Sequence, residues 1–131
     1  MKVDFCAMAD AANTSAEGKL NVLGIFDRIR VNSLPAVHKQ MAVVLRLRVE
    51  YADAGDEHAV RLALENPDGK KLVDLEGSTR VGEVEPGRFS HSNQVFNIRD
   101  LRFEEEGVHR FRVWLDGELA AEQPLSVVKA D

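Results

Sequence analysis

Met41-Ala42-Val43-Val44-Leu45-Arg46-Leu47-Arg48-Val49-Glu50-Tyr51 is the stretch from which the fold is read. Its odd positions, Met41, Val43, Leu45, Leu47, Val49 and Tyr51, are all apolar or aromatic. Its even positions are Ala42, Val44, Arg46, Arg48 and Glu50. Side chains leave a strand on alternate faces, so a period of two marks a strand buried on one side. This register turns Leu45, Leu47 and Tyr51 inward and Val44, Arg46 and Arg48 outward.

The same period recurs on either side of that stretch. From Val108 to Leu115, His109, Phe111, Val113 and Leu115 alternate with Arg110, Arg112 and Trp114. Val60, Leu62 and Leu64 alternate with Arg61, Ala63 and Glu65. Leu20 to Phe26 is apolar at both parities, which predicts a strand buried on both faces or bulged at Gly24. Turn residues separate the runs. Asn66-Pro67-Asp68-Gly69 has Pro and Gly where a type I turn takes them, and Asp116-Gly117 is a two-residue hairpin signal. Strands are expected near 2–9, 18–31, 41–51, 58–65, 70–76, 93–99, 107–115 and 118–128. Asp10 to Glu17 is read as a bridge between two strands, and His38 as a loop residue after Pro35.

Short strands with regular turns predict an all-β immunoglobulin-like sandwich of two antiparallel sheets, with about seven or eight strands. A jelly roll or C2-like strand order is the alternative. The chain's 131 residues suit one domain spanning 1–131. Acidic residues outnumber basic ones 22 to 17, a net charge of −5, which argues against nucleic acid or anionic membrane as partner. Charges at Asp4 and Asp10 interrupt any signal-like apolar run, and the expected location is the cytoplasm. The single cysteine, Cys6, rules out an intrachain disulfide.

Two blocks carry resemblances. Glu106-Gly107-Val108-His109-Arg110-Phe111-Arg112-Val113-Trp114-Leu115-Asp116-Gly117 resembles the penultimate strand and last hairpin of immunoglobulin-like sandwiches. His109 stands where those folds often place the tyrosine-corner aromatic. Lys2-Val3-Asp4-Phe5 through Ala9-Asp10-Ala11, followed by Gly18-Lys19-Leu20-Asn21-Val22-Leu23-Gly24-Ile25-Phe26-Asp27, resembles the opening of a family of small uncharacterised bacterial proteins. That resemblance implies a β-sandwich and a cytoplasmic bacterial origin. It implies no activity and no functional residues.

Catalytic chemistry finds little support. His38, His58, His91 and His109 have no metal-ligand spacing, and no Gly-x-Ser-x-Gly elbow accompanies Ser78, Ser90 or Ser92. Cys6 sits between Phe5 and Ala7 in an expected strand and reads as an inert thiol. No cofactor or metal is implied. Asp53, Asp56 and Glu57 form an acidic loop that leaves cation or small-molecule binding as an alternative function.

The expected function is a non-enzymatic interaction module, self-associating or binding a protein partner, with a homodimer as its simplest form. Placing strand 41–51 beside 107–115, with 58–65 on its other side, brings Val44, Arg46, Arg48, Arg61, Arg110, Arg112 and Trp114 onto one candidate interface. Trp and Arg are the residue types most enriched at binding hot spots. The competing reading pairs those arginines with Glu50, Glu65, Glu118 and Glu122 as a solvated face. Charge is unevenly spread: residues 19–48 carry six basic and one acidic side chain, residues 50–77 three basic and eight acidic.

Because neither a disulfide nor a metal is implied, excess chelator and reductant should leave the melting temperature unchanged in calorimetry. A drop of several degrees with chelator would contradict this reading.

Overall fold

The structure, a computed structural model, describes residues 1–130. Its strands are β1 (Lys2–Thr14), β2 (Leu20–Phe26), β3 (Arg28–Val31), β4 (Ala36–Glu50), β5 (Glu57–Glu65), β6 (Lys71–Arg80), β7 (Phe89–Phe103), β8 (Gly107–Leu115) and β9 (Glu118–Lys129). A short 3-10 turn at Tyr51–Asp53 joins β4 to β5. Four strands form one sheet in the order β2-β1-β4-β7, and five form the other in the order β3-β9-β8-β5-β6. Neighbours are antiparallel except β3, which runs parallel to β9. This is the immunoglobulin-like strand order: β1, β4 and β7 stand in one sheet as A, B and E, and β5, β8 and β9 in the other as C, F and G.

The alternation read from the sequence builds the core. Met41, Val43, Leu45, Leu47 and Val49 of β4 are fully buried, and the first four belong to one cluster with Leu62 and Leu64 of β5, Phe111 and Val113 of β8, and Leu125 and Val127 of β9. In β7 the buried residues Ile98, Leu101 and Phe103 are not evenly spaced. Asp100 lies between Ile98 and Leu101 with φ of 53°, and this local reversal returns Leu101 and Phe103 to the core.

Several expectations are corrected. The segment 18–31 is two strands, because the chain leaves one sheet at Phe26 and joins the other at Arg28. β2 is an edge strand, and its Leu23 and Ile25 are 71% and 60% exposed instead of buried. Gly24 adds no residue to the ladder, since the β1–β2 register is unbroken on both sides of it; its φ is +72°, and a Cβ there would collide with the Asp10 carboxylate. β1 continues to Thr14, past the expected bridge at Asp10, by pairing first with β4 and then with β2. β7 and β6 are longer than expected, and His38 lies within β4. Tyr51 is 59% exposed, because the 3-10 turn ends the strand's alternation one residue before it.

The largest correction concerns sheet membership. Strand β4 does not lie beside β8; its neighbours are β1 and β7 in the four-stranded sheet. Strand β8 lies instead between β5 and β9, its partner in the expected Asp116–Gly117 hairpin. Alternation reports which way a side chain points, but it contains nothing about which strand lies alongside.

Leu47→Ala should cost about 2–5 kcal/mol in urea denaturation, because it opens a cavity in a fully buried site. Arg46→Ala removes a half-buried side chain on the opposite face and should cost less than about 1 kcal/mol. Equal losses would mean that the register of β4 is wrong.

Candidate interaction surface

The seven expected interface residues divide between the two sheets. Val44, Arg46 and Arg48 face outward from β4, whereas Arg61, Arg110, Arg112 and Trp114 face outward from β5 and β8. The sandwich core separates the two groups.

On the four-stranded sheet the outer face is largely occupied. Arg46 donates through Nη1 to Asn93 Oδ1 at 3.2 Å, and Asn93 Nδ2 donates to the Gly18 carbonyl at 3.2 Å. The second bond holds the β1–β2 turn against this face. Val44, expected outward and available, is fully buried, as is its outer-face neighbour Ala42. Arg48 stacks over Phe89 at 3.9 Å and reaches the Glu50 carboxylate at 3.5 Å. His91 lies edge-on to Phe89 and bonds Asp4 Oδ2 at 2.9 Å. The bond from His91, helped by Arg48 and Lys2, holds the Asp4 carboxyl below its ordinary value.

The five-stranded sheet keeps an open outer face. Trp114 of β8 lies opposite Arg61 of β5, whose guanidinium carbon is 4.9 Å from the indole centre. Arg61 donates Nε and Nη2 to the two oxygens of Asp74 at 2.9 and 2.8 Å, a bidentate clamp that fixes its plane. That clamp holds the Asp74 carboxyl below its ordinary pKa. Arg112 lies between two acids, with Nε 3.3 Å from Glu65 and 3.4 Å from Glu122, at ion-pair distance without hydrogen-bond alignment. The solvated-face reading therefore describes Arg61 and Arg112, and Arg48 on the other sheet, though Arg61 and Arg48 also stack on aromatic rings. Arg110 is exposed and makes no ion pair among the described residues. Trp114 is half-buried, and its cross-strand neighbour Leu119 is 51% exposed. Glu76, Gly77 and Gly117 leave a recess beside the indole.

Other expected candidates are absorbed by the structure. The Cys6 thiol is pushed up to about 11 by burial and is a poor nucleophile at neutral pH. Asp53 accepts the Glu50 N–H at 3.0 Å and lies 2.9 Å from the Met1 amino nitrogen, so its oxygens are engaged within the chain. No group of three or more His, Cys, Asp or Glu is placed to hold a metal among the described residues. His109 is fully buried, and its Nδ1 lies 3.1 Å from the Gly107 carbonyl. It does stand in the core at the tyrosine-corner place, but its bond reaches back only two residues.

One cluster was not visible in the sequence. His58 Nδ1 is 2.6 Å from Asp116 Oδ2, and His58 Nε2 is 2.7 Å from the Asp53 carbonyl. Both ring nitrogens face acceptors, an arrangement that favours the doubly protonated, cationic ring. Asp116 also accepts the Ala59 N–H at 2.9 Å, which pins the β8–β9 turn to the start of β5. The residues are 58 apart in sequence, and no local spacing signals the contact.

Residues 4–128 match a family of unknown function, DUF6941. The chain belongs to that family. No curated protein matches it. Among solved structures, a β-glucosidase from Listeria innocua, in complex with isofagomine, is similar with a TM-score of 0.50 and 10% identity. That match covers 96% of this chain and 16% of the glucosidase, and the likeness is one of fold. An immunoglobulin-like protein from Pseudomonas aeruginosa is 16% identical with a TM-score of 0.45, covering 96% of this chain and 94% of that one. The alkylpurine DNA glycosylase AlkC of Pseudomonas fluorescens, bound to DNA containing an abasic site analogue, is 17% identical with a TM-score of 0.47, over 77% of this chain and 27% of the glycosylase. This chain thus spans under a third of both enzymes. No helix is long and apolar enough to cross a membrane among the described residues.

The His58 cluster has a pH signature. Asp116, and then the Asp53 carbonyl, hold the folded imidazolium above its ordinary 6.5, against the opposing effect of burial. The resulting stabilisation is complete below that unfolded value and disappears as pH rises through the higher folded value. The stability gap between wild type and His58→Gln should therefore shrink as pH is raised from about 6 to 9. Urea midpoints across that range check it, and a pH-independent gap would refute it.

Proposed function

We propose that this protein is a non-enzymatic interaction module that self-associates through the outer face of its five-stranded sheet. The observation that carries the proposal is Trp114. Its indole is half-buried on a sheet face that no other element covers among the described residues, beside the exposed Leu119. Arg61 is already clamped behind it by Asp74, so the aromatic surface is pre-ordered and loses little side-chain entropy on binding. Large, rigid, amphipathic side chains of this kind anchor protein interfaces. Arg46, Arg48 and Val44 take no part, since they lie on the opposite sheet.

The ionisable clusters support a role without catalysis. His58 is held by Asp116 and Asp53, and His91 by Asp4, which leaves these groups bonded within the chain. The acidic-loop alternative gains no supporting geometry, because Asp53 is engaged by Glu50 and Met1.

Sedimentation at micromolar concentration should show a dimer in equilibrium with monomer. Trp114→Ala should weaken it by at least about 2 kcal/mol, roughly thirtyfold in Kd, without unfolding the monomer. A wild type that remains strictly monomeric would overturn the proposal.

A further inference from the structure

The open face of the five-stranded sheet has an uneven distribution of charge. β3 is its outermost strand on one side, where exposed Arg28 and Arg30 flank the buried Ile29. β6 is outermost on the other side, where Asp74 and Glu76 share the face with Arg61 and Ala63. The registers set the heights. Arg28 is level with Ser126 and so with Val108 of β8, whereas Glu76 is level with Arg61 and so with Trp114. The basic and acidic pairs thus occupy diagonally opposite corners. Four strand spacings of about 4.8 Å and six residues of about 3.3 Å put those corners roughly 19 Å apart across the sheet and 20 Å along it. No contact within one chain can span that distance. Among the described residues the ion pairs of this face are Arg61–Asp74, Lys71–Asp74, Arg112–Glu65 and Arg112–Glu122, and none of them involves Arg28, Arg30 or Glu76.

Resting on the self-association proposed above, we infer that the second copy binds face to face about a two-fold axis. The axis runs parallel to the sheet in the plane of the interface, over β8 between Val108 and Trp114, so that the Arg28–Arg30 corner of each copy meets the Asp74–Glu76 corner of the other. A half-turn about an in-plane axis perpendicular to the corner-to-corner line exchanges the corners, and any isologous dimer makes each such contact twice. Trp114 is level with Glu76 with Arg61 between them, so the same rotation brings its indole to the β3 side of the second copy, within about 10 Å of Arg28, where a guanidinium suits an aromatic face. Five strands by about eight residues present on the order of 600 Å² of flat face per copy. Side-chain relief raises this towards the roughly 800 Å² a partner contributes to a standard interface. The diagonal also sets the specificity. A half-turn about the corner-to-corner line itself would set each corner against its own counterpart and oppose like charges at both ends.

Charge reversal tests the geometry. Arg30→Glu and Glu76→Arg should each weaken the homodimer at least tenfold, because each places two like-charge contacts in it. Mixing the two single variants should form a heterodimer of near wild-type affinity, since both corners then carry opposite charges. The double variant should likewise dimerise with itself. Sedimentation equilibrium of each protein and of the equimolar mixture, at low salt, reads all three. Recovery in the mixture also shows that both variants are folded. If wild type dimerises and Trp114→Ala weakens it, but the mixture is no tighter than either variant alone, the two-fold geometry is wrong and the interaction face stands. If wild type is a monomer throughout, both fail.

Discussion

Everything in this sandwich is positioned by the burial of β4. Met41, Val43, Leu45, Leu47 and Val49 fill the space between the sheets, each worth about 1.5–3 kcal/mol when removed from water. On the reverse side Ala42 and Val44 are buried as well, in a region where the β1–β2 turn is held by Asn93. A strand buried on both sides must be central, and β4 accordingly pairs with β1 and with β7. The two sheets are thereby committed to opposite sides of one core, and so are the two groups of arginines.

The consequence for function is an asymmetry between the sheets. The four-stranded sheet covers part of its own outer face with the turn at Gly18, with Arg46 and Asn93, and with the Arg48–Phe89–His91–Asp4 assembly. The five-stranded sheet leaves its face flat and open, with an indole and unmatched charges on it. Its frame is held where the β8–β9 turn meets β5. Asp116 binds both the His58 ring and the Ala59 amide there, so the strand that carries Trp114 is fixed at its end by charge-assisted bonds.

Arginines on this face have two roles that composition cannot distinguish. Arg61 and Arg112 are matched by acids on neighbouring strands and support the surface around Trp114. Arg28 and Arg30 are exposed on an edge strand and make no ion pair among the described residues. The distinction is one of cross-strand register: Asp74 lies one strand from Arg61 but four strands from Arg30. Exposed and already-paired charges contribute little to association, while unpaired ones set orientation and partner choice.

The sequence by itself determined the all-β class, the inward and outward sides of β4, β5 and β8, the turns at Asn66–Gly69 and Asp116–Gly117, and the inertness of Cys6. Each depends on neighbouring residues or on a count, since alternation and turn chemistry are local. The break between β2 and β3 was visible as alternation in Arg28-Ile29-Arg30-Val31, but apolar residues on both sides joined it to the preceding run. Only the tertiary structure decided that Arg46 and Arg48 lie across the core from Trp114, that Val44 is covered, that His58 meets Asp116, and that Arg28 and Arg30 share a face with Glu76. Those relations join residues tens of positions apart. They follow from which strand lies beside which, and strand neighbourhood is settled by the packing of the whole core, not by the period of any one strand.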